Sequence, residues 1–416
     1  MSRLDELIAE YCPDGVEYKS IGELCSVKAR IGWQRLNKSE YLLKGDYYLV
    51  TGVDIRDDHR VDFGSCYFVS KDRYQMDENI QLQNGDIIVT KDGTIGKVAM
   101  IEGLDKPAVL NSHLFVIRDQ SRTLDHRFLL HVLLSKAFTQ FVEKNRTKGT
   151  IPGLNQATVV KFRFPVPPLP VQREIVRILD NFTELTAELT AELTARKKQY
   201  EYYRDSEFDA LDAPIMKIGD VTRVFSASRV HKEDWQTEGV PFYRSSDVIS
   251  FFNGIENSRG KAFISYELYD KLSAKSGKIQ KDDVLVTGGG TIGVPYIVPN
   301  DDPIYMKDAD LLCIKKNDVI NSKYLRHYFL STSFRNYLSF ITHDATIPHY
   351  TIEQIKNTPV PVPSWTEQKR IVDMLDRFDV LCTDISSGLP AEIEARQKQY
   401  EYYRDKLLTF KEKSTL

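Results

Sequence analysis

The sequence predicts a mixed α/β protein with two related globular domains and two long helices. Three observations predict it: a unit of about 200 residues is written twice, each copy has short strand patterns between glycine turns, and each copy ends in a long amphipathic helix. Tandem copies usually give an internal pseudo-twofold axis. We therefore expect two pseudo-twofold related globular domains separated by two long antiparallel coiled-coil helices.

The repeat is clearest in four pairs of segments that keep the same order in both copies. These pairs are NGDIIVTKDGTIG (84–96) with KDDVLVTGGGTIG (281–293), TIPGLNQATVVKFRFPVP (150–167) with TIPHYTIEQIKNTPVPVP (346–363), VQREIVRILDNF (171–182) with EQKRIVDMLDRF (367–378), and KQYEYYRD at both 198–205 and 398–405. The last pair is identical, which sets it apart from the diverged remainder of the repeat.

Each copy divides into a globular part and a helical part. The predicted regions are domains at 1–170 and 213–365 and helices at 171–212 and 366–416. In the first domain, IIVT, KVAMI and LFVI are apolar runs between Gly and Asp turns, which predicts strands. The GTIG segments join such runs, so we expect glycine turns between strands. The stretch 127–142 has apolar residues at helical spacing, which predicts one helix.

The two long helices are predicted from apolar residues that recur every three or four positions. These seams are Ile175, Ile178, Leu179, Phe182, Leu185, Leu189 and Leu193 in the first copy, and Ile371, Met374, Leu375, Phe378, Leu381 and Ile385 in the second. SWTE at 364–367 fits a capping box at a helix start. Pro390, after Gly388, fits the start of a new helical segment.

The first helix also repeats TAEL, at 186–189 and at 190–193. Two interpretations stay open. A leucine at every fourth position is a good helix-forming sequence that needs no further explanation. Four residues also add about 6 Å of helix, so the repeat fits a spacer of adjustable length.

Composition limits the function classes. The 416 residues are 42% hydrophobic, which is enough for two cores, and the net charge is −3. A protein that binds DNA by itself usually carries a basic excess, so the net charge counts against DNA binding unless the cations lie on one face or a partner supplies much of the phosphate contact. The five cysteines are scattered without a CxxC pair, which predicts free thiols in a reducing cytoplasm. No apolar run is long enough to span a bilayer.

The sequence contains no P-loop, no dinucleotide-binding loop, no amino-methyltransferase motif and no HExxH motif. The segment 93–98 comes closest to a phosphate-binding P-loop, but its spacing is wrong and Val98 cannot bind a metal ion. GGGTIG at 288–293 precedes a strand pattern, not the helix of a dinucleotide site. His126 and His131 flank an apolar helical run, which favours ordinary packed or surface histidines over metal ligands. We expect no catalytic and no metal site, and a nuclease or transferase is kept as the third hypothesis.

Residue types that read DNA recur at matching places in both copies. Arg, Lys, Asn, Gln, Ser and Thr read bases, and Lys and Arg hold phosphates. The candidates are Lys28, Arg30, Gln34, Arg35, Lys38, Thr51, Gly52, Lys91, Thr94, Lys97, Arg146 and Lys148 in the first copy, and Arg229, Lys232, Arg244, Ser245, Ser246, Thr287, Thr291 and His343 in the second. A solvated polar loop is the alternative for any single residue, whereas the recurrence favours contact.

The identical KQYEYYRD segments predict a surface that binds two identical partner subunits. The partner-binding candidates are Lys198, Tyr202, Arg204, Lys398, Tyr402 and Arg404. Lys198, Glu201 and Arg204 fall three apart on one helix face, where core packing would not require identical polar residues. A recent duplication that has not yet diverged is the alternative.

Each copy has a variable domain that ends in TIP and a Pro-rich stop, followed by a helix that starts with QREIV or QKRIV and ends with KQYEYYRD. This arrangement resembles the specificity subunit of type I restriction–modification systems. The TAEL repeat in the first long helix is a further point of resemblance to that family. The resemblance covers nearly the whole chain and is weakest at about 26–60 and 223–262. The copies differ where GGGTIG stands against KDGTIG and where Ala345 stands against Gly149.

The resemblance implies two target-recognition domains, each reading one half of a split double-stranded DNA site through the major groove, with the helices setting the separation. It implies two methyltransferase (modification) subunits and, in the full complex, motor–nuclease (restriction) subunits as partners, in the cytoplasm and away from the membrane. S-adenosylmethionine, ATP and Mg²⁺ would belong to those partners, so no cofactor is expected here. A two-headed scaffold that binds no DNA is the second hypothesis.

Overall fold

A computed structural model describes residues 2–32, 35–147, 152–253, 262–308, 310–342, 348–383 and 388–414. The chain forms two compact units: unit 1 comprises Met1–Glu188 with Glu394–Leu416, and unit 2 comprises Leu189–Ile393. Each unit therefore contains parts of the long helices as well as a globular domain. The predicted division of the chain into domains and helical segments, at 170, 212 and 365, stays a prediction. In the described ranges, no helix is both long and apolar enough to cross a membrane.

The first copy alternates short strands with short helices. Its strands are β1 (Glu17–Ser20), β2 (Cys25–Ala29), β3 (Tyr47–Val50), β4 (Tyr67–Val69), β5 (Gln81–Leu82), β6 (Ile87–Thr90), β7 (Val98–Met100), β8 (Ala108–Leu110), β9 (Leu114–Asp119) and β10 (Arg163–Val166). Its helices are α1 (Arg3–Tyr11), α2 (Ile21–Leu24), α3 (Lys71–Gln75), α4 (His126–Leu134), α5 (Lys136–Asn145) and α6 (Gln156–Val159).

Helix α7 (Leu169–Asp209) follows the first copy, and the second copy repeats the pattern. Its strands are β11 (Ile215–Lys217), β12 (Val224–Ser226), β13 (Val240–Tyr243), β14 (Ala262–Ile264), β15 (Val284–Thr287), β16 (Pro295–Ile297), β17 (Tyr305–Met306), β18 (Leu311–Ile314) and β19 (Pro359–Pro361). Its helices are α8 (Ile218–Val221), α9 (Ser245–Phe252), α10 (Tyr266–Ser276), α11 (Ser322–Leu330), α12 (Thr332–Thr342) and α13 (Ile352–Asn357), followed by α14 (Trp365–Thr383) and α15 (Leu389–Leu407).

The two units share the order of one four-stranded sheet, whereas their second sheets have four strands in unit 1 and three among the described residues of unit 2. In unit 1 an antiparallel sheet has the order β2-β9-β6-β7, and the matching sheet of unit 2 has the order β12-β18-β15-β16. A second sheet in each unit contains one parallel pair, β3 with β8 and β13 with β17. Strands β6 and β15 are buried at every position, as expected for apolar, β-branched runs covered on both faces. The predicted mixed α/β fold of two related domains with long helices is confirmed.

One predicted helix is two helices. The stretch 127–142 is interrupted at Ser135, whose backbone is extended (φ −67°, ψ 156°). The Ser135 hydroxyl donates to the Val132 carbonyl (2.6 Å) and accepts from the Phe138 amide (3.3 Å). Serine is a preferred N-cap residue because its oxygen satisfies an otherwise unpaired amide at a helix start. Ser331 separates α11 from α12 in the same way.

The long helices begin near the predicted positions. Helix α7 is 41 residues long, and α15 begins at Leu389, so a new helical segment does start beside Pro390. The capping box expected at 364–367 is half present: the Ser364 hydroxyl accepts from the Glu367 amide (3.3 Å), whereas the Glu367 carboxylate pairs with Arg370.

The N-terminal ends of the predicted seams are core residues. Ile175 and Leu179 have no exposed surface in unit 1, and Ile371 and Leu375 have none in unit 2. Further along, Leu185, Leu189 and Leu193 are half-buried, and Ile385 lies outside the described residues.

Candidate nucleic-acid interface

The glycine turn of unit 1 joins β6 to β7. The Thr90 hydroxyl donates to the Thr94 carbonyl and accepts from the Lys97 amide (2.9 Å). Gly93 and Gly96 have φ of +67° and +82°, a region that favours glycine because it lacks a Cβ. The hydroxyl of Thr90 thus fixes the turn from inside, and Thr94 is exposed at its tip.

Unit 2 builds the same turn between β15 and β16. The Thr287 hydroxyl donates to the Thr291 carbonyl (2.6 Å) and accepts from the Val294 amide (2.9 Å), and Gly290 has φ of +73°. Thr287 has no exposed surface, whereas Thr291 is exposed. We therefore expect Thr291, and not the buried Thr287, to face a ligand.

Several polar groups meet the turn of unit 1. The Lys91 amide donates to the His113 carbonyl (2.9 Å), and the Leu154 amide donates to the Lys91 carbonyl (2.7 Å). The His113 ring lies 2.6 Å from the Asp92 carboxylate. Burial lowers the pKa of the half-buried Lys91 ammonium, and the negative charge of Asp92 offsets this only in part. The structure thus brings Lys91, Asp92 and His113 together at one surface.

The segment after β3 joins this surface. The Lys97 ammonium donates to the Ile55 carbonyl, and a Cβ built on Gly52 would meet the Thr90 methyl at 3.2 Å. Thr51 is buried, and its hydroxyl donates to Asp54 (2.8 Å). Thr51 therefore shapes the segment from inside, while the segment itself lies against the glycine turn.

The other candidates of the first copy differ in exposure. Arg30 is 3% exposed, and its Nε donates to the Leu110 carbonyl (3.2 Å). Arg146 is exposed and pairs with Glu143 (3.0 Å). Three further candidates of the first copy are exposed: Lys28, Arg35 and Lys38. Gln34 and Lys148 lie outside the described residues.

In unit 2 the candidates gather at the start of α9. The Arg244 guanidinium pairs with Asp247 (3.1 Å), and the Ser245 hydroxyl donates to the Asp310 carbonyl (2.6 Å). The Gly288 amide donates to that same carbonyl (2.7 Å), so α9 and the glycine turn meet. Ser246 is half-buried. Arg229 and Lys232 are exposed on the preceding loop, and His343 lies outside the described residues.

The equivalent turns carry different chemistry. The amide of Lys91 in unit 1 and that of Gly288 in unit 2 make equivalent bonds, to the carbonyls of His113 and Asp310. The Asp310 carboxylate pairs with Lys307 (2.6 Å), whereas unit 1 has the His113 ring at that place. One backbone frame thus presents two sets of side chains. His113 is not predictable from the sequence, because a single histidine outside a motif does not indicate a site.

The KQYEYYRD segment of α15 packs on unit 1. The Tyr400 hydroxyl lies 3.0 Å from His131 Nδ1, and His131 Nε2 lies 2.9 Å from the Asp180 carboxylate. The Asp405 carboxylate accepts from the Lys136 amide at the start of α5 (3.0 Å).

The identical segment of α7 packs on unit 2 through the same contacts. The Tyr200 hydroxyl lies 2.9 Å from His327 Nδ1, and His327 Nε2 lies 2.9 Å from Asp376. Asp205 accepts from the Thr332 amide (3.0 Å). Tyr400 and Tyr200 thus make buried hydrogen bonds, and Asp405 and Asp205 make exposed ones, so packing within each unit accounts for the identity of the two segments at these positions.

The predicted partner-binding residues fall into two groups. Arg204 and Arg404 are 8% and 9% exposed and pair with the aspartates that follow them in sequence. Tyr202 and Tyr402 are 68% and 61% exposed. Lys198 and Lys398 are exposed as well. Partner binding by these residues stays a prediction, and the lysines and tyrosines are the ones accessible to a partner.

The cysteines and acidic residues give no indication of a metal centre. Each of the five cysteines is a buried free thiol. Across the described ranges, no group of three or more His, Cys, Asp or Glu side chains has the proximity that a metal ion requires.

Comparison with known proteins identifies the family. The model of the type I restriction modification DNA specificity domain matches residues 13–196 and again 212–395. The chain is 34% identical to a putative type I restriction enzyme specificity subunit of Haemophilus influenzae, over 72% of this chain and 76% of the relative. It is 31% identical to the EcoR124I/EcoR124II specificity subunit of Escherichia coli, over 67% of this chain and 69% of the relative.

Two solved structures share the fold. The S subunit of a type I restriction-modification system from M. genitalium aligns with a TM-score of 0.51 at 16% identity, over 95% of this chain and 96% of that one. A chain from a structure of the complex assembly and conformational transition of the type I R-M system aligns with a TM-score of 0.63 at 17% identity, over 95% and 98%. The two matched domains, the curated relatives and the shared fold agree: the chain belongs to the type I restriction modification DNA specificity family.

Proposed function

We propose that this chain reads a two-part double-stranded DNA sequence, one part with each unit, and thereby selects where partner subunits act. The observation that carries the proposal is the pair of glycine turns fixed by Thr90 and Thr287, which keep one backbone frame and present different side chains. A constant frame with variable side chains suits two half-sites that differ in sequence.

The side chains at the turn of unit 1 have the chemistry that DNA requires. Lys91 and the exposed Arg35 suit phosphates or guanine, and the exposed Thr94 hydroxyl suits either a base edge or a phosphate. The net charge of −3 indicates that these cations give only a weak general attraction to DNA. Partner subunits would then supply most of the phosphate contacts, so the isolated chain should bind DNA weakly.

Two methyltransferase subunits are the proposed partners. The exposed Lys198 and Tyr202 of one segment and the exposed Lys398 and Tyr402 of the other offer the same surface twice. Motor–nuclease subunits would join in the full complex. S-adenosylmethionine, ATP and Mg²⁺ would bind to those partners, and this chain would be non-catalytic. Bacterial DNA lies in the cytoplasm, which is where the complex would act.

The experiment is selection from random duplex DNA by the purified chain, with and without its modification subunits. We expect the complex to enrich one sequence with two defined parts and an undefined gap, and the isolated chain to enrich it far less. An assembled complex that enriches no sequence would contradict the proposal and favour a scaffold that binds no DNA.

A further inference from the structure

Val53 is an apolar side chain held in solvent. It is 86% exposed, in the segment that follows β3. Single exposed apolar residues are common on protein surfaces, so exposure alone has no functional meaning. What distinguishes Val53 is the combination of a rigid backbone, a place beside the candidate interface and a polar counterpart in the second copy.

The backbone that carries Val53 is fixed on both sides. The Asp54 carboxylate accepts from the Thr51 amide (2.7 Å) and from the Ser65 hydroxyl (3.2 Å), and the Asp54 carbonyl accepts from the Asp62 amide (2.9 Å). Asp54 itself is 2% exposed. Valine is branched at Cβ and has few side-chain rotamers, so little entropy is lost when it contacts a ligand.

Val53 lies beside the glycine turn. Gly52, the residue before it, packs against Thr90, and the Lys97 ammonium donates to the carbonyl of Ile55, two residues after it. The segment that carries the exposed valine therefore lies against the glycine turn, which also carries Lys91 and Thr94.

The second copy keeps the turn and changes the side chain. The Arg244 amide donates to Asp247 (2.7 Å) as the Thr51 amide donates to Asp54, which aligns Ser246 with Val53. An apolar residue needed for folding would be expected in both copies. Instead the position is apolar in one unit and polar in the other, as expected of a residue that contributes to the specificity of its own unit.

We propose that Val53 contacts the C5-methyl group of a thymine in the half-site that unit 1 reads. The inference rests on the proposed DNA-reading function. In the major groove the hydrogen-bonding edges of the bases need polar partners, and the thymine methyl group is the feature that apolar side chains contact. Val53 has no polar atom in its side chain, so the methyl group is the base feature it can recognise.

The test replaces thymine by deoxyuridine, which lacks only that methyl group, at each thymine of the first half-site in turn. The complete complex with modification subunits is used, and the half-site of unit 1 is the one that stays unchanged when residues 213–363 are exchanged. We expect one substitution to weaken binding about fourfold, the effect of losing one buried methyl group. In Val53→Ala the same substitution should have little effect, because the apolar contact is already lost.

Leu43→Ala is the matched control. Leu43 is 83% exposed and precedes β3, whereas Val53 follows it, so this variant should keep the full response to deoxyuridine. The proposal is overturned if every thymine tolerates replacement in the original complex, if Val53→Ala keeps the full response, or if the half-site contains no thymine. A complex that binds no specific sequence at all would instead contradict the proposed function.

Discussion

Tyr400 and His131 are hydrogen-bonded at 3.0 Å although 269 residues separate them in the sequence. Tyr200 makes the equivalent bond to His327 in unit 2, at 2.9 Å. Each unit therefore fastens a copy of KQYEYYRD to its own buried histidine. This relationship explains why the first tyrosine of the segment is the same in both copies: the Tyr–His–Asp contact is made twice.

Tyr400→Phe should destabilise unit 1 by about 1–3 kcal/mol, because it leaves a buried polar nitrogen of His131 without its partner. Tyr200→Phe should do the same in unit 2. Tyr402→Phe is the control, since Tyr402 is 61% exposed and its loss should be nearly neutral. Urea unfolding curves of the three variants measure the effect. Equal destabilisation by Tyr402→Phe would contradict a specific role for the buried bond.

Unit 2 should lose stability as the pH falls from 7 to 5. Burial lowers the pKa of His327 below its usual value of 6.5, so the unfolded chain binds a proton that the folded unit resists. The stabilising contribution is therefore present above pH 6.5 and is lost as the pH falls. Burial would raise the pKa of Asp376, but hydrogen bonds from His327 and Lys323 lower it to about 2, so its own contribution is lost only below about pH 4.

The protection of α11 amides from hydrogen exchange, corrected for intrinsic rates, reports this dependence. His327→Asn should reduce the difference between pH 7 and pH 5. His349→Asn, at an exposed histidine of the same unit, should leave it unchanged. If the protection of α11 amides in His327→Asn still falls between pH 7 and pH 5 as in the original protein, another group causes the pH dependence.

Lys91→Ala should weaken DNA binding by the complete complex and reduce the salt dependence by about one unit of slope, because one fewer counterion is released. Lys44→Ala is the control, since this exposed lysine precedes β3 and lies away from the glycine turn in sequence. Binding constants measured across a range of salt concentrations decide the matter. If both variants have the same small effect, Lys91 acts only through the general charge of the protein.

The parts of the fold that were predictable have strong local causes. Ile87 to Thr90 and the glycines of GTIG specify a buried strand and a turn with positive φ, whatever surrounds them. The helix break at Ser135 was missed because the apolar spacing of α4 continues into α5, so periodicity hides a change of backbone at one residue.

Candidate site residues were harder to predict, since residue type does not reveal burial. Arg30 and Arg204 are cations that a sequence places on the surface, yet they are 3% and 8% exposed. His113 has its interaction with Asp92 only because two loops meet. Val53 gave no signal because an apolar residue after a strand is expected to be buried.

The TAEL units lie in α7, which continues from unit 1 into unit 2. Inserting one more TAEL tetrapeptide after Leu193 lengthens the helix by about 6 Å and turns it about 40° beyond a full circle, which keeps the leucine seam nearly in register. One base pair adds about 3.4 Å and a similar rotation. We expect the unread gap of the DNA site to grow by about one base pair, with both half-sites unchanged.

A three-residue insertion at the same place is the control, because it rotates the seam the other way and should impair assembly. Sequencing of the modified sites gives the gap length. Full activity with an unchanged gap would mean that the repeat is ordinary helix-forming sequence.

Independent reading of the DNA site by the two units can be tested by a domain exchange. Residues 213–363 are replaced by the matching domain of a relative, in a host that carries the complete system. Methylation mapping across the genome should show one half of the modified sequence replaced and the other half unchanged. If both halves change together, or if neither does, independent reading by the two units is contradicted.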